Sequence, residues 1–83
     1  MNTKEDILNE FKFILEDQFE IDKDRVTFDA KLYEDLDLDS IDAIDMIVFI
    51  QKKIGKKVQP EDFKSVTTVG DVVDVIANML EIK

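Results

Sequence analysis

Residues 36–54 read LDLDSIDAIDMIVFIQKKI and contain the strongest structural signal in this 83-residue chain. Acidic residues alternate with leucine up to Asp39, and apolar residues then recur every three or four positions as far as Ile54, which is the spacing of an α-helix. Asp39 or Ser40 can cap this helix at its start, and Gly55 stands where a left-handed residue commonly ends a helix. The stretch therefore predicts a helix from Asp39 or Ser40 to about Ile54.

This helix has apolar residues on two opposite sides when it is turned by about 100° per residue. The wide side consists of Ala43, Met46, Ile47, Ile50 and Ile54. The narrow side consists of Ile41, Ile44 and Val48, and its border consists of Asp42, Asp45 and Lys52. A helix at the surface of a bundle needs only one apolar stripe, so the wide side is interpreted as core. The narrow side either contacts the neighbouring loop or short helix, or forms a docking face with an acidic rim.

The segment before this stretch predicts one long helix followed by a long loop. Thr3 caps the helix, Asp6 completes a short capping box, and apolar residues at helical spacing extend the helix over residues 4–19. Residues 20–39 lose this period but keep apolar residues at intervals, which indicates a loop that packs against the bundle. The apolar residues of this loop are Val26, Phe28, Leu32, Leu36 and Leu38.

The segment after Gly55 predicts a short helix and then a last helix. Pro60 suits the first position of the short helix, and Thr68 and Asp71 form the capping box of the last one. We therefore expect a single all-α domain over residues 1–83, a four-helix bundle of three main helices and one short helix with a long first loop. The predicted buried side of the last helix comprises Val69, Val72, Val73, Ile76, Met79 and Leu80.

Composition excludes several classes of function. The chain has neither cysteine nor histidine, which removes disulfides, Cys/His zinc sites, a cysteine nucleophile and a histidine general base. Its formal net charge of −9 disfavours nucleic acid and favours basic partners. We see no run that is apolar enough for a secretory signal or a membrane span. We expect a monomer in the cytoplasm.

The acidic run before Ser40 allows three structural interpretations. Ser40 caps the helix, or Asp39 caps it and leaves Ser40 in the first turn, or the acids form a solvated run near the positive end of the helix. Asp35, Asp37 and Asp39 also have the spacing at which a calcium loop begins. Ser40 and Met46 stand where that loop requires Gly and Glu, so an EF-hand is not expected. Without a histidine to activate it, Ser40 is a hydroxyl that another enzyme can modify, not a nucleophile that works unaided.

Three segments, in the same order along the chain, resemble the acyl carrier protein family. Residues 36–42, LDLDSID, are similar to its Asp-Ser-Leu attachment motif, residues 29–36 to the loop before that motif, and residues 67–73 to the entry into its last helix. The resemblance implies an acyl-carrier-protein-like fold and a non-catalytic carrier. Such a carrier holds acyl groups as thioesters and presents them to enzymes of fatty acid, lipid or related biosynthesis.

The resemblance also implies a cofactor and its partners. A phosphopantetheinyl transferase (holo-acyl carrier protein synthase), using coenzyme A and Mg²⁺, would attach 4'-phosphopantetheine to the Ser40 hydroxyl. This arm would supply the thiol that a chain without cysteine lacks. Acyl-transfer and synthase enzymes with basic docking patches would bind a face made of Asp39, Ile41, Asp42, Ile44, Asp45 and Val48. The candidate acyl-pocket residues are Met46, Ile47 and Ile50.

The sequence departs from the family pattern in two regions. Asp37 stands where Gly is common, and Asp tolerates a left-handed backbone better than most residues; Ile41 replaces the usual Leu. After Asp45 the helix gains a bulky Phe49 and then turns basic. The basic residues are Lys52, Lys53, Lys56 and Lys57. They either complement the negative end of the helix or weaken docking to partners that expect carboxylates, and we expect a specialised carrier rather than the general fatty-acid one.

Two other functions remain open on the sequence. The first is an acidic protein-interaction or divalent-ion-binding module that has no prosthetic group. The second is a carrier for aminoacyl, peptidyl or polyketide cargo, because partner enzymes choose the cargo and the sequence does not show them.

Overall fold

The structure is a computed structural model that describes residues 2–63 and 65–81. Its helices are α1 (Lys4–Phe19), α2 (Ser40–Ile54) and α3 (Val69–Met79), with two 3-10 helices, Lys23–Arg25 and Pro60–Phe63. Helix α1 packs against both α2 and α3. No strand forms within the described ranges, where an isolated bridge joins Lys31 and Thr68. The predicted all-α fold with three main helices is confirmed, while the predicted domain of residues 1–83 also includes Met1, Lys64, Ile82 and Lys83, which lie outside the described residues.

Each α-helix begins with a reciprocal capping box. The N-cap residues are Thr3, Asp39 and Thr68, and their side chains accept hydrogen bonds from the backbone N–H of Asp6, Asp42 and Asp71 respectively. The three aspartates in turn accept from the N-cap backbone N–H groups, which satisfies two donors that a helix start leaves without partners. The predicted boundaries of α1 and α2 are confirmed. At the end of α2, Gly55 has the expected left-handed conformation, with a φ of 70°.

The connecting segments hold two short helices. The predicted short helix is present at Pro60–Phe63, as a 3-10 helix. A second one, Lys23–Arg25, lies inside the stretch predicted as a continuous loop, and Asp22 caps it by accepting from the backbone N–H of Asp24 at 3.0 Å. Three residues are too few to show a helical period, so hydrophobic periodicity does not detect this element.

The core is filled by the three α-helices and by the long loop. The largest fully buried side chains are Phe11, Ile7, Leu15, Met46, Ile50, Val26, Val69, Val72 and Val73. Val26, Leu32, Leu36 and Leu38 are buried, which confirms that the loop packs down, but Phe28 is exposed. The predicted buried side of α3 is confirmed at Val69, Val72, Val73 and Ile76, whereas Met79 and Leu80 are only partly buried because they lie at the end of the helix.

Backbone hydrogen bonds attach this loop to the start of α3. The carbonyl oxygens of Ala30 and Phe28 accept from the N–H groups of Val69 and Gly70, at 2.9 and 2.8 Å. The N–H of Leu32 donates to the carbonyl oxygen of Thr67 at 3.0 Å. The first N–H groups of a helix have no partner inside it, so the loop satisfies two donors of α3 and α3 positions the loop that leads to Ser40.

Candidate functional site

Ser40 is the first residue of α2, and its side chain is exposed. Asp39 performs the capping, because its Oδ1 accepts from the Asp42 N–H at 2.8 Å while Asp42 Oδ2 accepts from the Asp39 N–H at 3.2 Å. The Ser40 hydroxyl makes no hydrogen bond to any residue of the described ranges. The interpretation of Ser40 as the helix cap is therefore wrong, and its hydroxyl is available to a modifying enzyme.

The backbone around Ser40 suits an anion. The N–H groups of Ser40 and Ile41 lie in the first turn of α2, where they have no acceptor within the helix. These N–H groups form the positive end of the helix dipole, and a positive helix end stabilises a phosphate bound near the Ser40 hydroxyl. The residues present therefore fit a phosphodiester on Ser40. The neighbouring Asp39 and Asp42 carboxylates accept hydrogen bonds within the capping box.

The approach to Ser40 alternates between buried leucines and exposed acids. Leu36 and Leu38 are buried, whereas Asp35, Asp37 and Asp39 are exposed. The Leu38 N–H donates to the carbonyl oxygen of Leu32 at 3.1 Å, which holds this part of the loop on the body of the protein. Leu38 thus anchors the chain two residues before Ser40, while the serine itself lies at the surface.

Asp37 has a left-handed backbone with a φ of 55°, which confirms that Asp adopts the turn in which the family commonly has Gly. Arg25 lies beside this turn. Its guanidinium donates to the carbonyl oxygen of Asp35, and one of its nitrogens is 3.9 Å from a carboxylate oxygen of Asp37. Arg25 therefore contacts and stabilises the acidic run before Ser40. Periodicity does not reveal this role of Arg25, because a contact across ten or twelve residues leaves no periodic signal.

The narrow apolar stripe of α2 is exposed. Ile41, Ile44 and Val48 have 68%, 55% and 40% of their surfaces accessible, so the interpretation that they pack against the loop or the short helix is wrong. Asp42 and Asp45 lie on the same helix beside them. The predicted docking face is thus a row of exposed apolar side chains bordered by carboxylates, which is the chemistry that a partner with a basic rim around an apolar site can recognise.

The candidate acyl-pocket residues Met46, Ile47 and Ile50 are buried in the core. A cavity of about 10 Å³ lies where α1, α2 and α3 meet, and of these three residues only Ile50 lines it. Its other lining residues include Phe11, Ile14 and Ile76. Such a cavity has room for about one water molecule, so an acyl chain could enter only if core side chains moved apart.

The lysines that follow Asp45 have separate surroundings. Lys53 forms an ion pair with Glu10 of α1 at 3.2 Å, and the Lys52 ammonium lies 5.9 Å from the ring centre of Phe49. The Lys56 ammonium donates to the carbonyl oxygen of Met79 at 2.7 Å and so complements the end of α3, not that of α2. Lys52 and Lys53 lie in the last turn of α2, where they complement its negative end, whereas Lys56 complements α3 instead.

Two observations bear on other classes of function. Within residues 2–63 and 65–81, no three His, Cys, Asp or Glu side chains are grouped as a metal site requires. In the same part of the chain, no helix combines the length and the hydrophobicity that crossing a membrane demands.

Comparison with known proteins identifies the family that shares these features. Residues 9–76 match the family model described as the phosphopantetheine attachment site. The chain is 46% identical to acyl carrier protein 2 of Ralstonia nicotianae over 94% of this chain and 96% of the relative. It is 35% identical to the acyl carrier protein of Thermotoga maritima over 96% of this chain and 99% of the relative. The crystal structure of an acyl carrier protein from Thermotoga maritima has the same fold, with a TM-score of 0.82 at 23% identity over 94% of this chain and 91% of that one.

Proposed function

This chain belongs to the acyl carrier protein family, and we propose that it carries acyl groups on a 4'-phosphopantetheine arm attached to Ser40. The assignment of Ser40 rests on the different roles of two adjacent residues at the start of α2. Asp39 caps the helix, and the adjacent serine is exposed with an uncommitted hydroxyl. A serine that served as the helix cap would use its hydroxyl for the hydrogen bond that Asp39 accepts here, so the hydroxyl of Ser40 is left for attachment.

The attachment reaction needs a separate phosphopantetheinyl transferase. The described residues place no basic side chain in hydrogen bond with the Ser40 hydroxyl, so the transferase supplies the base that removes its proton. The Ser40 oxygen attacks the pantetheine-side phosphorus of coenzyme A, the bond to the second phosphate breaks, and 3',5'-ADP leaves. When it is attached, the arm supplies a thiol that holds acyl groups as thioesters. The chain itself acts as a carrier and not as a catalyst.

The exposed stripe of α2 is the surface that we assign to partner enzymes. Ile41, Ile44 and Val48 supply the apolar contact, and Asp39, Asp42 and Asp45 supply the charge. All six lie on α2 or at its N-cap, within nine positions of Ser40. An enzyme that binds them therefore also lies close to the attachment point of the arm. Their carboxylates suit acyl-transfer and synthase enzymes with basic docking patches.

The core around Met46, Ile47 and Ile50 is our candidate for sheltering a short acyl chain. These side chains belong to the same buried cluster as those of α1 and α3, and the small cavity beside Ile50 is also lined by Glu10 and Lys53. Sheltering therefore requires α2 to move relative to α1 or α3. The expected signature is a change in the side-chain methyl signals of Ile50 and Ile76 when the attached group is lengthened.

We also propose that the chain serves a specialised pathway and not general fatty acid synthesis. The support is the change from acidic to basic residues along α2, where Phe49, Lys52 and Lys53 follow the stripe. These residues offer no carboxylates to a partner that expects them. Turnover with general fatty-acid synthase enzymes tests this directly, and full activity would contradict it. The cytoplasmic location and the monomeric state remain predictions.

Mass spectrometry tests the attachment site. Incubation with coenzyme A, Mg²⁺ and a phosphopantetheinyl transferase should add about 340 Da, a mass taken from the formula of the arm, to the peptide that contains Ser40. The Ser40→Ala variant should gain nothing. Ser65→Ala is the matched control, because Ser65 is the only other serine in the chain and is also exposed. A mass gain that survives in Ser40→Ala, or is lost in Ser65→Ala, contradicts the assignment.

A further inference from the structure

A second exposed apolar feature begins on α1. The side chain of Phe13 has 52% of its surface accessible, although it belongs to a helix whose other large apolar residues pack inward. Two ammonium groups lie over its ring: that of Lys23, 5.9 Å from the ring centre, and that of Lys53, 5.7 Å from it. The ring is attracted to both cations and still presents an apolar surface to solvent.

This feature continues across the α1–α2 junction. Phe49 of α2 packs edge-on against Phe19 of α1, with ring centres 6.0 Å apart, and Lys52 lies over the Phe49 ring. Phe13, Phe49, Lys52 and Lys53 line one shallow groove together. We call the following set the aromatic–lysine patch: Phe13, Phe49, Lys23, Lys52 and Lys53.

The acids beside the patch engage its lysines only weakly. Glu16 lies 3.5 Å from Lys23 and Glu10 lies 3.2 Å from Lys53, and the lysine side chains remain 48% and 45% exposed. Asp17 also lines the groove. Ion pairs between side chains this exposed contribute little to stability, so carboxylates of another molecule can replace Glu10 and Glu16 at little cost.

We propose that the aromatic–lysine patch is a second docking surface, which binds a partner protein that presents carboxylates around an apolar side chain. The rings and the lysine stems supply apolar contact, and the ammonium groups supply the complementary charge. The net charge of −9 means that most of the remaining surface repels an acidic partner, so the patch also determines the orientation in which that partner binds. The patch goes beyond the proposed carrier function, because it does not involve Ser40.

Its charge preference is opposite to that of the α2 stripe, and this contrast provides the test. Two synthetic amphipathic helical peptides serve as probes: one has a leucine stripe bordered by glutamate, and the other has the same stripe bordered by lysine. Each is titrated into the ¹⁵N-labelled full chain. The glutamate peptide should shift the amide signals of Phe13, Lys23 and Phe49. The lysine peptide should shift those of Ile41, Asp42 and Asp45.

Charge reversal should separate the two surfaces. The double variant Lys23→Glu/Lys53→Glu should weaken binding of the glutamate peptide by about tenfold or more, while the lysine peptide still binds the α2 stripe. Lys57→Glu is the matched control, because Lys57 is exposed and lies outside the patch. Lys57→Glu should leave the affinity for the glutamate peptide within about twofold of the original value. This margin covers the effect of the changed net charge on the affinity.

Removal of the exposed ring tests the apolar half of the patch. Phe13→Ser should weaken the glutamate peptide, whereas Phe28→Ser, at another exposed phenylalanine, should not. Thermal unfolding of both variants shows whether each is folded, so a loss of binding can be separated from a loss of structure. The proposal is wrong if the glutamate peptide shifts only the signals of stripe residues, or if Phe13→Ser binds the glutamate peptide with unchanged affinity. It is also wrong if the patch signals shift with protein concentration alone, since a concentration dependence assigns the patch to a second copy of the chain.

Discussion

The carbonyl oxygen of Phe28 accepts a hydrogen bond from the backbone N–H of Gly70 at 2.8 Å, and a Cβ added at position 70 would also lie 2.8 Å from that oxygen. Contacts this short between a Cβ and a backbone oxygen are essentially never observed in proteins, and backbone cannot move as easily as a side chain end. Glycine at position 70 is therefore required by the close approach of the long loop to α3.

We accordingly predict that Gly70→Ala lowers the free energy of unfolding by about 1–3 kcal/mol, because the loop must move away from α3. This holds although alanine is the better helix former by about 1 kcal/mol. Urea unfolding measures the change. Asn78→Ala, an exposed position of the same helix, is the control and should be neutral or slightly stabilising. A Gly70→Ala variant that is more stable than the original chain would refute the packing argument.

Asp39 and Ser40 should respond differently to removal of their side chains. Asp39→Ala should cost about 1 kcal/mol of unfolding free energy, because the N–H of Asp42 loses its acceptor at the start of α2. Ser40→Ala should change stability by less than about 0.5 kcal/mol, because its hydroxyl bonds to no described residue. Urea unfolding of both apo variants checks the prediction. Equal losses in the two variants would mean that both side chains cap the helix.

The turn at Asp37 should tolerate glycine but not a β-branched residue. Asp37→Gly relieves the left-handed strain and loses only the exposed pair with Arg25, so its stability should stay within about 1 kcal/mol of the original. Asp37→Val should be destabilised by about 1–2 kcal/mol, since valine disfavours a φ of 55°. The comparison of the two unfolding curves isolates the backbone effect. Similar curves for the glycine and valine variants would show that the turn rearranges freely.

Acid should weaken the capping box of α3. The backbone N–H groups of Thr67 and Thr68 donate to Asp71 and hold its pKa below the ordinary value of 3.8. A carboxyl group with a lowered pKa in the folded state contributes stability above its unfolded pKa, and loses it as the pH falls through the folded value. The free energy of unfolding should therefore decline below about pH 4, and less steeply in Asp71→Asn. Urea unfolding at a series of pH values measures both slopes, and identical slopes would contradict the assignment.

The α2 stripe should control recognition by the transferase. Asp45→Lys should lower the kcat/KM for arm attachment by about tenfold, because it places a cation where the enzyme presents its own basic groups. Stability should change little, since Asp45 is exposed. Lys57→Glu, an exposed charge change outside the stripe, is the matched control. If the transferase modifies Asp45→Lys at the original rate, the stripe is not the surface that this enzyme binds.

The sequence alone determined the starts and ends of α1 and α2 and the start of α3. Capping boxes join residues three positions apart, and apolar periodicity is complete within a few turns, so both are local properties of the chain. The left-handed residue at Gly55 is signalled by its residue type, whereas at Asp37 the expectation comes from the resemblance to a family that commonly has Gly there. The position of Ser40 at the start of α2 follows from these local signals.

Only the tertiary structure decided which of the competing interpretations holds at the surface. It showed that Ile41, Ile44 and Val48 are exposed, and that the Asp39 side chain, not that of Ser40, caps α2. It also placed Arg25 beside the acidic run and gathered the aromatic–lysine patch from α1, α2 and the 3-10 helix between them. The contacts of Arg25 and those within the patch join residues ten to forty positions apart. No local propensity encodes such contacts, because they form only when the helices pack against one another.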